Sequence, residues 1–378
     1  MISLLTAFAV SALVTLLLVR SAKLRPLHGF DLDFDKPQGV HAVAVPRIGG
    51  LGVVLGLFVA QWYVAVTLGR DAVSIGLLLL ACALPAFLAG FVQDMSESLT
   101  PRGRLAATAV SAVLAFFLLD AGVREASLPG VDWLVSTAAG SLLVTVFAVT
   151  GIANAVNIID GLNGLASMCA CLMLAAVAYV AFQVGDPLVG TLALAGIGAV
   201  GGFFLWNYPF GLIFLGDGGA YFLGFFLAEL SILLLMRNPE VSPIFPLLVC
   251  IYPIFETIFS MYRRSFLRAA PSSMPDGIHL HSLIFRRLLR WTIGDQSALA
   301  ITRRNSMASP ILWLLCTLSI VPAMLFWDQA SWLLAFLLLF AVTYVVLYWR
   351  IVRFKSPRWL RIAHLGQRGA LHGDERNS

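Results

Sequence analysis

Residues 154–166 read NAVNIIDGLNGLA, a polar string broken by glycines at the end of a long apolar run. Asn154, Asn157, Asp160 and Asn163 recur every third residue, so neighbouring members share a helix face, and Gly161 and Gly164 let the backbone open or approach a ligand. Carboxylate and amide oxygens are hard donors, the kind Mg²⁺ takes when water and substrate phosphates complete its octahedron. A second carboxylate, Asp217, lies in FLGDGGAYF (214–222), where Gly218 and Gly219 expose backbone amides at a helix start suited to a phosphate. PDGIHLHSLIFRR (275–287) adds His279, His281, Arg286 and Arg287. Imidazoles carry protons and guanidinium forks match phosphate oxygens. Metal, phosphate and cations together point to phosphoryl transfer.

The elements that must position these residues are membrane spans. Of the 378 residues 60% are hydrophobic and 12% charged, with a mean hydropathy of +0.89, far from a soluble domain. A bilayer core about 30 Å thick takes roughly 20 apolar residues per helix. Runs of that kind are predicted at 2–20, 48–68, 73–92, 105–120, 135–153, 164–184, 188–206, 212–236, 243–261, 309–327 and 331–349. The expected fold is therefore all-α and polytopic, with about 10–11 spans, one catalytic unit over residues 1–350 and a basic tail over 351–378. An outer-membrane barrel is disfavoured because its strands alternate in short pieces, whereas these runs are continuous.

The cations set the orientation. With the N-terminus outside, only Arg70, Arg124 and Arg237 of the 25 Lys and Arg face out. The net charge of +5 then describes an inner face suited to anionic lipids and phosphates, and argues against nucleic acid as a partner. No basic segment precedes the first run, which reads as a retained span. The five cysteines all fall in spans without C-x-x-C spacing, so neither zinc nor a redox pair is expected. On this topology QDMSESLTPRGRL (93–105), which carries Asp94, joins the other three polar stretches on the inner face. Backbone breaks at that depth are tolerated where they line a wet, protein-walled cleft.

Taken singly, the residues have plainer accounts. Asp160 or Asp217 also reads as a helix cap or an Arg partner, and the two histidines as polar loop residues. Arg263 and Arg264 follow the ninth run where positive-inside anchors belong. Glu229 and Glu256 lie inside apolar runs, where an acid is functional by default or paired internally. Coincidence on one side of the membrane favours function.

NAVNIIDGLNGLA and FLGDGG resemble the signature loops of the polyprenyl-phosphate N-acetylhexosamine-1-phosphate transferases, the group of MraY-like and WecA-like enzymes. PRIGG (46–50), the QD and PRGRL segment (93–105) and the HLH loop match that group in order and spacing. The resemblance implies that undecaprenyl phosphate in a bacterial inner membrane attacks the β-phosphorus of a UDP-N-acetylhexosamine on the cytoplasmic side. UMP leaves, and the lipid pyrophosphoryl sugar begins a surface glycan such as O-antigen. By similarity Asp217 and Asn157 would hold Mg²⁺, with Mn²⁺ as the alternative ion, while Asp160 and Asn163 line the nucleotide pocket. Asp94 would lie near the acceptor phosphate, and His279 and His281 would contact the donor. Asn154, Gly216, Gly218, Arg47, Arg263 and Arg264 complete the substrate-binding candidates, and dimers are common in the group.

The chain also departs from the group. Gln93 stands where many relatives carry a first acid, which tells against a scheme needing carboxylates at both positions. Asn163 replaces the usual bacterial Asp. HAVAVP (41–46) replaces the Lys-x-Gly-Thr-Pro stretch of the muramoyl-pentapeptide branch, and the His run is shortened. These differences point away from a peptidoglycan precursor. A phosphate monoester with a second pKa near 6 is already mostly dianionic at neutral pH, so Asp94 is expected to position the acceptor more than to act as a base. The rival reading is an ion-coupled transporter or flippase, whose sites would lie near the midplane between paired interrupted helices.

Overall fold

The computed structural model describes residues 1–24, 45–267, 279–288 and 298–353. The tail beyond 353, most of HAVAVP and Pro275–Ile278 of the histidine segment lie outside them. Among the described residues every regular element is a helix. In chain order they are α1 (Ile2–Leu24), α2 (Gly50–Leu68), α3 (Arg70–Ser96), α4 (Pro101–Leu118), α5 (Val131–Val135), α6 (Ala138–Ile159), α7 (Leu165–Gln183) and α8 (Pro187–Asn207). There follow α9 (Gly216–Arg237), α10 (Ile244–Val249), α11 (Ile251–Tyr262), α12 (Leu280–Leu283), α13 (Ala298–Leu325) and α14 (Ala330–Val352). Among the described residues ten helices are long and apolar enough to cross a membrane, so the protein is a multi-pass membrane protein.

The ninth expected span, 243–261, is divided into α10 and α11 at Cys250. Pro253 supplies the cause: it has no N–H to offer the carbonyl four residues back, so the ladder is interrupted there. Elsewhere the helices begin where local chemistry says they should. Thr100 and Thr137 cap α4 and α6 by accepting from Gly103 and Gly140 N–H at 3.2 and 3.0 Å, and Pro101 and Pro187 occupy first-turn positions.

Two helices run further than hydropathy suggests. α3 continues to Ser96 and α6 to Ile159, so Gln93, Asp94, Asn154 and Asn157 belong to final helical turns and not to loops. Their polar side chains end an apolar run without ending a helix, because Asp94, Asn154 and Asn157 find partners across the bundle and Gln93 finds one in the loop that follows.

α9 is the hub. Apart from Glu229, Ser231 and the terminal Arg237 it is apolar on every face beyond its first turn, and every residue from Gly216 to Leu234 except Asp217 is buried, as expected for a helix enclosed by others. It packs against α3, α6, α7 and α2. Small residues permit the approach: a methyl group at Gly90 of α3 would lie 2.4 Å from the Gly218 nitrogen of α9. The start of α9 is thus pressed backbone to backbone against the end of α3.

Candidate active site

The first turn of α9 carries Asp217 into a cavity of about 410 Å³ at one end of the bundle. Gly216 makes the turn. Its φ is +78°, and a side chain there would collide with the Arg47 carbonyl and the Asp94 carboxylate. The PRIGG segment straps this turn from outside. Phe214 N–H donates to Pro46 O, Gly49 N–H to Phe214 O and Gly50 N–H to Leu215 O, each at 2.9 Å. Underneath, Asp94 accepts from the N–H groups of Asp217 and Gly218, one on each carboxylate oxygen, both at 2.9 Å. An anion at a helix N-terminus meets unpaired donors and the positive end of the helix dipole. Asp94 therefore caps α9 from α3.

Asp217 is held from two sides. The Asn157 amide donates to Oδ1 at 2.8 Å, and the Arg104 guanidinium pairs with Oδ2 while lying over the Tyr221 ring. Asp160 closes α6 beside them and lines the cavity with Arg47, Arg104, Arg286, His279 and His281. Withdrawal from water pushes its carboxyl up to about 7, against the opposing pull of Arg47. The histidine rings stack nearly parallel, centroids 5.2 Å apart. Behind them lies Glu256 of α11, fully buried.

Of the expected site residues, Arg47, Asp94, Asn157, Asp160, Gly216, Asp217, His279 and His281 come together around this cavity. Five do not line it. Asn154 accepts from the Tyr221 hydroxyl at 3.2 Å. The Gly218 amide is taken by Asp94. Asn163 is fully buried and faces α13: its N–H donates to Asn305, its side-chain amide to Pro209 O and Ser306, and its carbonyl accepts from Ser309. A period of three residues turns successive side chains gradually around the helix, and the string then leaves α6 at Asp160 altogether. Arg263 is buried against Tyr348, which it contacts at 2.6 Å, and Ser260, and Arg264 follows it outside the cavity. Arg286, which the histidine segment offered as a phosphate-binding cation, also lines the cavity; Arg104 is the cavity cation absent from the expected site, and the PRGRL segment that carries it was the available signal.

The donor set suits a hard divalent cation. Among the described residues no group of three or more His, Cys, Asp or Glu is arranged to hold a metal. Asp217 and Asn157 supply only a carboxylate and an amide. An ion held there needs water and substrate phosphate for the rest of its shell, which is how Mg²⁺ binds nucleotides. Three acids, three arginines and two histidines around one cavity give a site for a polyanion that brings its own metal ligands.

The glycosyl transferase family 4 profile matches residues 76–235, from α3 through most of α9. A Bacillus subtilis (strain 168) protein, "Probable undecaprenyl-phosphate N-acetylglucosaminyl 1-phosphate transferase", is 30% identical over 288 residues, 74% of this chain and 77% of that one. The chain belongs to glycosyl transferase family 4. A phospho-N-acetylmuramoyl-pentapeptide-transferase of Streptococcus equi subsp. zooepidemicus is 30% identical over 241 residues, 61% of this chain and 71% of its own. One from Streptococcus thermophilus is 26% identical over 298 residues, 76% and 83% of the two chains. The family match spans Asp94, Asn157, Asp160 and Asp217, the acids and amide around the cavity.

Proposed function

We propose that this family member transfers an N-acetylhexosamine 1-phosphate from a UDP-sugar to undecaprenyl phosphate on the cytoplasmic face of a bacterial inner membrane. The observation that supports this reading is the setting of Asp217: fixed by Asn157 and Arg104, seated by Asp94, and ringed by Arg47, Arg286 and two histidines. On the topology expected from the sequence, all Lys and Arg except Arg70, Arg124 and Arg237 belong to the inner side, the positive-inside pattern, which supports a cytoplasmic site.

An oxygen of the lipid phosphate attacks the β-phosphorus of the donor, and the bond from that phosphorus to the oxygen bridging to the α-phosphate breaks. UMP departs with the electron pair. Phosphoryl transfer depends mainly on alignment and charge neutralisation. Arg47, Arg104 and Arg286 neutralise phosphate oxygens. The acceptor phosphate is already mostly dianionic at neutral pH, so no side chain has to remove a proton from it. Mg²⁺ held by Asp217 and Asn157 would offset charge on the diphosphate and the leaving nucleotide.

HAVAVP and the shortened His run favour an initiating step of a surface glycan over a peptidoglycan precursor. UDP-N-acetylglucosamine is the first donor to test, given the Bacillus relative. Purified protein incubated with undecaprenyl phosphate, Mg²⁺ and a panel of UDP-sugars is expected to release UMP and form a lipid pyrophosphoryl sugar. Movement of lipid or sugar nucleotide across liposomes with no UMP released for any donor would establish the transport reading instead.

A further inference from the structure

Glu256 is a fully buried acid placed directly behind the histidine pair. Its Oε1 accepts from the Leu280 N–H at 2.6 Å and lies 3.3 Å from His281 Nδ1 and 3.7 Å from His279 Nδ1. Its Oε2 accepts from the Tyr344 hydroxyl of α14 at 2.9 Å. Leu280 stands between the two histidines, so one carboxylate binds the peptide that joins them and lies within ion-pair distance of both Nδ1 atoms. α12, which carries His281 and follows directly on His279, has only four residues and no helical stability of its own. Its shape must come from this tertiary clamp. With Nδ1 of each ring turned to Glu256, the Nε2 atoms lie on the far side. A methyl group added at Gly161, on the cavity rim, would meet His281 Nε2 at 3.0 Å.

We propose that Glu256 is a positioning residue that fixes the orientation and tautomer of His279 and His281, keeping a proton on Nδ1 and presenting Nε2 to the sugar nucleotide. The proposal rests on the reading of the cavity as the donor site. A carboxylate on one imidazole nitrogen determines which nitrogen faces the ligand. α14 supplies nothing to the cavity itself; through Tyr344 it braces the clamp. A plain helix cap makes a different prediction, since loss of a cap lowers stability and leaves no signature in donor binding.

The test uses the full chain in detergent or nanodiscs, with E256Q, E256D, H281Q, H281N and E256Q/H281Q. A Gln side chain places its amide near the position of Nε2, and Asn near that of Nδ1. E256Q is expected to raise KM for the UDP-sugar about tenfold, the effect of one lost charge-assisted hydrogen bond, with KM for the lipid phosphate unchanged. E256D, one methylene short, recovers part of the loss. H281Q retains more activity than H281N, and adding E256Q to H281Q raises KM by less than about threefold, because the ring it orients is gone. A lowered melting temperature with unchanged KM, or the same KM penalty in both backgrounds, overturns the proposal. Imidazole ¹⁵N spectra separate this outcome from failure of the donor reading, as the chain has only six histidines. Protonated Nδ1 on His279 and His281, shifting toward Nε2 protonation in E256Q, supports the clamp even if no UDP-sugar reacts; an unchanged pattern refutes it.

Discussion

Replacing Asp94 by Asn separates two roles that the sequence leaves open. The carboxylate spends one oxygen on the Asp217 N–H and the other on the Gly218 N–H. An Asn keeps one acceptor and turns an NH₂ group against the second N–H, so one hydrogen bond becomes a donor facing a donor. A hydrogen bond to a charged group contributes about 1.5–3 kcal/mol. The negative charge at a helix start contributes a further 0.3–1 kcal/mol or so, and about 2 when partly buried. The sum is about 2–5 kcal/mol. If all of it falls on the seating of Asp217, turnover drops by about 30-fold to about 4,000-fold, at 1.4 kcal/mol per decade. The start of α9 also loosens, so D94N should melt at lower temperature without substrate and need more Mg²⁺ for half-maximal UMP release. Thermal unfolding of the detergent-solubilised protein and a Mg²⁺ titration of initial rate measure both. A D94N protein with wild-type melting temperature whose residual turnover, however low, keeps the wild-type Mg²⁺ midpoint would refute the capping argument and return Asp94 to direct action on the acceptor.

Asp160 has its carboxyl raised to about 7, so the folded protein binds a proton there that the unfolded chain has released by about pH 4. Stability of the ligand-free protein should therefore fall as pH rises from about 4 to about 7, and D160N should flatten that part of the melting-temperature profile. Asp186 lies at the opposite end of the bundle and behaves in the opposite sense. Burial raises its pKa, but hydrogen bonds from Arg237 and Asn238 and the Val189 N–H outweigh that and hold it below the ordinary value. D186A should lose about 2–4 kcal/mol of stability, a helix cap plus a charged hydrogen bond, in chemical unfolding. That difference is present above about pH 4 and vanishes as acid protonates the native carboxylate. N163D places an anion against the Pro209 carbonyl, and N305A removes the acceptor of the Asn163 N–H. Both should lower the melting temperature alike with KM for the UDP-sugar unchanged; a KM effect of N163D without a stability effect would return Asn163 to the nucleotide pocket.

What could be read in the sequence is what local composition controls. Apolar runs of spanning length establish the helical bundle, since hydrocarbon selects residue by residue, and the distribution of cations gives an expectation of its sidedness. Asp160 and Asp217 line one cavity because polar groups in an apolar chain need wet or charged company. Which Asn of the periodic string faces that cavity was not legible. The side chains of Asn154 and Asn163 are claimed by Tyr221 and by the α13 network, whose Asn305 lies 142 residues further on. No spacing rule encodes a partner at that distance.

Gln93 shows how a departure from the family pattern is accommodated. The usual first acid of the pair would place two carboxylates side by side at the end of α3, beside Asp217. Here the Gln93 side chain accepts from the Leu99 N–H at 2.8 Å and shapes the loop into α4, which begins with the Thr100 cap and carries Arg104 to Asp217 one helical turn later. The acid is exchanged for a loop contact that helps deliver a guanidinium. Such an exchange leaves the cavity with fewer negative charges and suits a reaction in which both substrates arrive as anions, provided that no second carboxylate has to take a proton. The dianionic state of a phosphate monoester at neutral pH supplies that condition. Restoring the acid with Q93D should therefore raise KM for the lipid phosphate, and a gain in turnover would mean that a base had been missing.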